Sequence, residues 1–278
     1  MTTTPELTRA SLRQQLAEPF ALTQSAIDSF HKNGYVKLKQ VLSPEVIDFY
    51  GSAISKMVLA LNTESKPIAE RDTYSRAFLQ VMNIWEQDAT VREFSFSARL
   101  ARIASELMGV NGVRMYHDQA LYKEPGGGFT PWHADQFYWP LSNSNTCTVW
   151  VPLQTTPVRL GPLSFSVGSH AFDKGRDLAI SDDSEKQMAF NLKDFPIDEG
   201  AYDLGEVSFH SGWTFHRASP NTSTQPRAVM TVIYMEDGIK LITPKHKNHE
   251  NDWARWMPNA KIGEVVDSPL NPVLYRHS

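Results

Sequence analysis

His133 and Asp135 stand two positions apart in the run Phe129-Thr-Pro-Trp-His-Ala-Asp-Gln-Phe-Tyr-Trp139. In an extended strand alternate side chains share a face, so an imidazole and a carboxylate at this spacing converge on one point. A third donor from elsewhere in the chain completes a facial set of two histidines and one carboxylate, which leaves coordination positions open on Fe(II). His216, in Gly212-Trp-Thr-Phe-His-Arg-Ala-Ser-Pro-Asn221, is the best third candidate. Arg227 follows eleven residues later. Beside such a centre a guanidinium is a planar partner for a carboxylate, held by paired hydrogen bonds that lysine cannot copy. Ferrous donors with a cation for a dicarboxylate describe an oxygen-activating enzyme.

Each candidate has a plainer reading. His-x-Asp recurs by chance in many proteins, and a histidine among the chain's nine is ordinarily a surface or core hydrogen-bonder. His210 rivals His216, because period-2 logic puts both on one face of the run Gly205–His216. His170, after Gly168-Ser169, is a second rival that could equally bond locally. His31, His246, His249 and His277 read as solvated helix surface or tail. His117 and Asp118 are adjacent, so a strand would point them apart. Arg227 alone reads equally well as a surface charge opening the strand Arg227–Met235. Phe137, Tyr138 and Trp139 form a candidate substrate wall together with Tyr122, and each could instead be core.

The elements that must carry these residues divide the chain in two. Thr23 caps a helix ended by Asn33-Gly34, Tyr35–Lys39 alternates as a strand, and Ser43-Pro44-Glu45 opens a helix to about Leu61. A further helix spans Val91 to Met108, closed by Gly109. From Gly112 the pattern changes to short β runs: Val113–Tyr122, Thr146–Leu153, Leu163–Val167, Val207–Phe209 and Ala228–Met235. Many strands with non-local pairing predict a mainly β barrel or double sheet with flanking helices. One domain over 1–278 is the reading: helical support to about 110, a β core over 111–243, and a weakly periodic tail over 244–278 that packs back on the body.

Bulk properties narrow the partners. A net charge of -4 offers no broad attraction to nucleic acid or an anionic membrane. No segment approaches the ~20 apolar residues of a membrane span. Cys147 is the single cysteine, so neither an intramolecular disulfide nor a thiolate cluster can form, and its apolar run predicts a small buried side chain. The stretch Met1–Ala10 lacks the basic start and apolar core of a signal peptide. A reducing, cytoplasmic setting follows. The oligomeric state is not legible.

Taken together, these motifs resemble the phytanoyl-CoA dioxygenase family of Fe(II)/2-oxoglutarate oxygenases along nearly the whole length. Phe30-His-Lys-Asn-Gly-Tyr-Val-Lys-Leu38 is similar to the family's first helix and strand. Gln119-Ala-Leu-Tyr-Lys-Glu-Pro-Gly126 and Pro131-Trp-His-Ala-Asp135 resemble the first metal motif and the strand before it. Trp150-Val-Pro-Leu153, Gly161–His170, the His216-to-Arg227 spacing and the endings Trp256-Met-Pro-Asn259 and Pro269–Leu274 match in order.

The resemblance implies a double-stranded β-helix, or jelly roll, with the metal near one open end. It implies that His133, Asp135 and His216 hold Fe(II) and that Arg227 binds the distal carboxylate of 2-oxoglutarate. Gln119 and Trp150, and more weakly Thr148, match positions bordering this cosubstrate. The chemistry implied consumes O2 and 2-oxoglutarate, releases succinate and CO2, and hydroxylates a C–H bond of a small molecule or secondary metabolite. Related halogenases need a small residue where Asp135 stands, so chlorination is disfavoured. A redox-silent cupin-like isomerase or sensor is the alternative, and Arg227 counts against it. No Gly-x-Ser-x-Gly elbow or His-Glu-x-x-His helix supports a hydrolase. No Lys/Arg cluster suggests a groove for an acyl-CoA.

Overall fold

Capping chemistry starts most of the helices. In the computed structural model, which describes residues 8–277, α2 (Gln24–Asn33) begins where the Thr23 side chain accepts from Ala26 N, and Gly34 at φ 84° ends it. α3 (Pro44–Leu61) carries the Ser43 cap, proline in its first turn and Glu45 near its N-terminus. The predicted helix over Val91–Met108 is two: α5 (Ala89–Ser95) and α6 (Ala98–Met108). The break lies at Phe96-Ser97, where the Ser97 hydroxyl accepts from Leu100 N and starts a new helix. α1 (Arg9–Ala17) and the short α4 (Thr73–Ala77) complete the N-terminal helices. The reading of the first ten residues falls partly on 1–7, which lie outside the described residues.

The strands form two antiparallel sheets. The larger has the order β1 (Tyr35–Leu38), β8 (Val207–Ser211), β5 (Thr146–Pro152), β10 (Val229–Glu236), β3 (Gly112–Tyr122) and β11 (Val273–Arg276). β2 (Leu79–Met82) shares the outer edge of β3 with β11. The smaller has the order β4 (Thr130–His133), β9 (His216–Ala218), β6 (Leu163–Ser166) and β7 (Ile197–Glu199). This is the expected jelly-roll architecture of antiparallel sheets with flanking helices.

Period-2 alternation gives the large sheet two different faces. Cys147, Val149 and Val151 of β5, Met230, Val232 and Tyr234 of β10, and Val207 and Phe209 of β8 pack against α1–α3, α5 and α6 in one apolar cluster. Burying each such aliphatic side chain contributes about 1.5–3 kcal/mol. The intervening residues, Thr148 and Trp150, Thr231 and Ile233, and His210, face inward across a cavity toward the small sheet. Cys147 is a buried free thiol within the apolar layer, as its surroundings predict.

The C-terminal segment is more ordered than its sequence suggests. It contains α8 (Lys247–Trp256) and β11, and α8 packs near the turn that follows β4. His249 is buried rather than solvated, its Nε2 lying 3.0 Å from the Phe137 carbonyl. α7 (Asp182–Asn191), absent from the sequence reading, packs on β4. No helix among the described residues is long and apolar enough to cross a membrane.

Candidate active site

His133 ends β4, His216 opens β9, and the two are directly paired across the ladder of the small sheet. The i, i+2 spacing predicts Asp135 on the same strand, but the strand ends at His133 and Asp135 opens a 3-10 turn, Asp135–Tyr138. The intervening Ala134 is still extended (φ -124°, ψ 128°), so the carboxylate remains on the imidazole's side. Nδ1 of His133 lies 2.8 Å from the Pro131 carbonyl, and Nδ1 of His216 lies 2.9 Å from that of Thr214. A carbonyl only accepts, so each Nδ1 donates and each neutral ring keeps its Nε2 lone pair. Both Nε2 atoms lie 3.6 Å from Asp135 Oδ1. One donor atom from each residue falls within 4.8 Å of the others.

The second oxygen of Asp135 is held separately. Thr148 Oγ1 donates to Oδ2 at 3.0 Å, and His210 Nε2 lies 3.3 Å from the same atom. His210 and His216 do not share a strand face. The chain turns at Gly212–Trp213, so His210 comes from the large sheet and His216 from the small one, with ring centroids 4.4 Å apart.

Electrostatics favour a metal here. Burial, reinforced by the charge of His216, lowers the His133 imidazole to about 4, and burial lowers His216 to about 4. Burial acts upward on the Asp135 carboxyl, but the imidazoles of His216, His210 and His133 outweigh it and hold it well below the usual carboxylate range. Two neutral imidazoles and one carboxylate, opening on a cavity, are donors that suit a ferrous ion with vacant coordination positions.

Arg227 lies just before β10, where its N–H and C=O pair with those of Lys123 at 2.8 and 2.9 Å. The side chain is 1% exposed, and Nη1 donates to the Gly161 carbonyl at 2.5 Å. Gly161 is required there: its φ is +68°, and a Cβ would meet the Ser219 carbonyl oxygen at 2.1 Å. Arg227 Nε is buried with no hydrogen-bond partner among the described residues. Burial lowers this guanidinium to about 9, so it stays charged at neutral pH. A buried cation with an unused N–H fits the carboxylate of a dicarboxylate cosubstrate.

These groups line one cavity of about 410 Å³. Of the sequence candidates, His133, Asp135, His216, Arg227, Gln119, Thr148, Trp150, Tyr138 and Trp139 reach it. Tyr122 and Phe137 do not. Tyr122 follows Leu121, which takes the cavity face of β3, so Tyr122 points to the helices and its hydroxyl meets Ser55 Oγ at 2.8 Å. Phe137 is turned away by the 3-10 turn and stacks on His246 at 4.4 Å.

Sequence reasoning missed His210 as a partner of Asp135. It also missed Tyr74, Gln80, Met82, His117 and the α8 residues Asn248, Asn251, Asp252 and Arg255, all of which line the cavity. The α8 set has a readable signal, since spacings of i, i+3, i+4 and i+7 make one helical face. His117 and Asp118 do point apart, His117 to the cavity and Asp118 to Ile84 N, Trp85 N and Ser95 Oγ.

Similarity to known proteins agrees with this geometry. The chain is 26% identical over 228 residues to a methylphosphonate hydroxylase of Gimesia maris, covering 77% of this chain and 80% of the relative. It is 22% identical over 233 residues to a 1-deoxypentalenic acid 11-beta-hydroxylase of Streptomyces exfoliatus, covering 75% and 78%. Its fold is similar to that of SnoK, a non-heme alpha-ketoglutarate-dependent carbocyclase from nogalamycin biosynthesis. The TM-score is 0.74 at 23% identity, covering 92% of this chain and 99% of that one. Residues 30–229 match the profile described as Phytanoyl-CoA dioxygenase (PhyH). With a match over most of its length, and two imidazoles and a carboxylate gathered inside a jelly roll, this chain belongs to the phytanoyl-CoA dioxygenase family of non-haem Fe(II)/2-oxoglutarate-dependent oxygenases.

Proposed function

We propose that His133, Asp135 and His216 hold the ferrous ion, that Arg227 anchors 2-oxoglutarate, and that the enzyme hydroxylates an aliphatic C–H bond of a small metabolite. The observation that carries this is the meeting of both Nε2 lone pairs with Asp135 Oδ1 at the wall of a cavity that Arg227 also lines. When bound, iron and 2-oxoglutarate supply the oxygen chemistry: one oxygen atom of O2 goes to succinate, formed with release of CO2, and the other to the substrate.

The chain's own part is binding, orientation and dryness. Pro131 and Thr214 carbonyls fix the imidazole tautomers, and Thr148 and His210 position Asp135 so that Oδ1 is the donor oxygen. Trp150 lies beneath the Arg227 guanidinium, 5.4 Å from it, and shields the anchored carboxylate from water. Gln119 stands on the cavity face of β3, its Oε1 accepting from Gln80 Nε2 at 2.7 Å, and borders the cosubstrate. Tyr138 and Trp139 form the apolar wall for the substrate. The carboxylate of Asp135 occupies the place a halide would need, which supports hydroxylation over chlorination.

A small-molecule substrate accords with the relatives, whose names specify methylphosphonate and a deoxypentalenic acid. A cytoplasmic setting, in which ferrous iron stays reduced, is part of the same reading. The test is anaerobic reconstitution with Fe(II) and 2-oxoglutarate, followed by oxygen and a metabolite pool, with mass spectrometry. Succinate and a product heavier by one oxygen atom are expected. Full turnover by His133→Ala would overturn the ligand assignment.

A further inference from the structure

α8 lays a polar stripe along the open side of the cavity, with Asn251 and Arg255 exposed. Asn248, Asn251, Asp252 and Arg255 all line the cavity, and the spacing puts them on one face. An apolar substrate would be penalised here, because these amides and the guanidinium would lose water without gaining partners. The side chains of Asn248, Asn251 and Arg255 make no hydrogen bond or ion pair among the described residues. Asp252, three residues before Arg255, is the acid that a helix would ordinarily pair with it. Its Oδ2 instead accepts the Tyr116 hydroxyl at 2.8 Å. The Arg255 guanidinium lies over the Trp256 ring at 4.3 Å, with its N–H groups left over.

We propose that Asn248, Asn251 and Arg255 form a subsite for an oxyanion carried by the substrate, a carboxylate or a phosphonate. Of the two arginines lining the cavity, Arg227 serves the cosubstrate under the function proposed above, on which this inference rests, and Arg255 serves the substrate. The amides add neutral donors along the same helical face. Burial raises the Asp252 carboxyl to about 7, which weakens its repulsion of a nearby anion. A single exposed guanidinium suits one acidic group. It does not suit the several phosphates of a coenzyme A thioester, which call for a cluster of cations. The substrate is therefore a small organic acid held by its acidic end, with its hydrocarbon part directed between Trp139, Met82 and Tyr74 toward the metal ligands.

The test uses full-length protein loaded with Co(II) and saturated with 2-oxoglutarate, so that binding is read without turnover. Calorimetric titration compares cyclohexanecarboxylate and phenylphosphonate with neutral cyclohexylmethanol and cationic cyclohexylmethylamine. At least one acid should bind tenfold or more tighter than the alcohol and the amine, and which acid does so tells carboxylate from phosphonate. Arg255→Gln should erase this preference, Arg255→Lys should keep part of it, and Arg255→Glu should turn it toward the amine. Equal binding of alcohol and acid, no binding of either acid, or a preference surviving Arg255→Gln would each overturn the subsite. Failure of the proposed function reads separately: wild-type protein with Fe(II), 2-oxoglutarate and oxygen would then yield no succinate.

Discussion

At the scale of single residues, the donor set and its supports make different predictions. His133→Ala removes one of the three proposed ligands and should abolish both Fe(II) binding and succinate release, checked by metal analysis beside turnover. Arg227→Ala removes a buried charge-assisted contact of about 2–3 kcal/mol. The KM for 2-oxoglutarate should rise roughly 30- to 100-fold, with a smaller change in kcat. Thr148→Val and His210→Phe leave all three ligands in place but release Asp135 Oδ2. Losing a partner of a metal ligand typically costs about 10–100-fold in metal affinity. Titration with Co(II) should show that loss, and unchanged affinity in both variants would remove them from the site's support. Two of the proposed ligands were legible because His133 and Asp135 lie two residues apart. His210 was not, since the turn that carries the chain from one sheet to the other between His210 and His216 leaves no mark in the alternation.

At the scale of elements, what the sequence revealed followed from local rules, and what it hid depended on tertiary contacts. Caps placed α2 and α3 correctly, and the strand runs survived nearly residue for residue. The division of Val91–Met108 into two helices turned on one hydroxyl, Ser97, within an otherwise helical pattern. β2, β9 and β11 have three or four residues each, too short for any alternation to stand out, and they exist because a longer strand pairs with them. The α8 stripe was overlooked because the stretch 244–278 reads as a weakly periodic tail, in which no helix face stands out. Gly161 supplies a test at this scale. Gly161→Ala places a Cβ against the Ser219 carbonyl and forces an L-residue into φ +68°. Beyond a stability loss above about 1 kcal/mol, the carbonyl that holds Arg227 should shift. Denaturant midpoint and the KM for 2-oxoglutarate should therefore move together.

At the scale of the whole molecule, the proposed oxygen chemistry lies in one stretch of chain, while the proposed substrate wall draws on that stretch at Tyr138 and Trp139 and on others. The ligands and Arg227 lie between 133 and 227, whereas Tyr74, Gln80 and Met82 precede them and α8 follows. Substitutions on α8 can change which molecule is accepted while leaving the iron donors untouched. A global pH dependence also follows from burial. The imidazoles of His117, His133 and His216 are each lowered from 6.5 to about 4, chiefly by burial. Between these values the unfolded chain takes up protons that the metal-free folded protein refuses. Each ring then removes up to about 1.4 kcal/mol of stability per pH unit as pH falls. Burial raises the Asp118 and Asp252 carboxyls to about 7, which partly offsets this loss. The share of the rings is isolated by His117→Phe, in which the fall of the urea midpoint of the metal-free enzyme from pH 6.5 to 5 should be shallower than in the wild type. An identical slope would mean the His117 ring is hydrated.

The pairing of His133 with His216 across adjacent strands has a mechanical side. A divalent ion held by both rings would rivet β4 to β9, a junction whose register is already irregular. Stripping the ion should loosen that seam ahead of the rest of the barrel. Amide exchange at Thr130–His133 and His216–Ala218 would then quicken, while the ladder between β3 and β10 kept its protection.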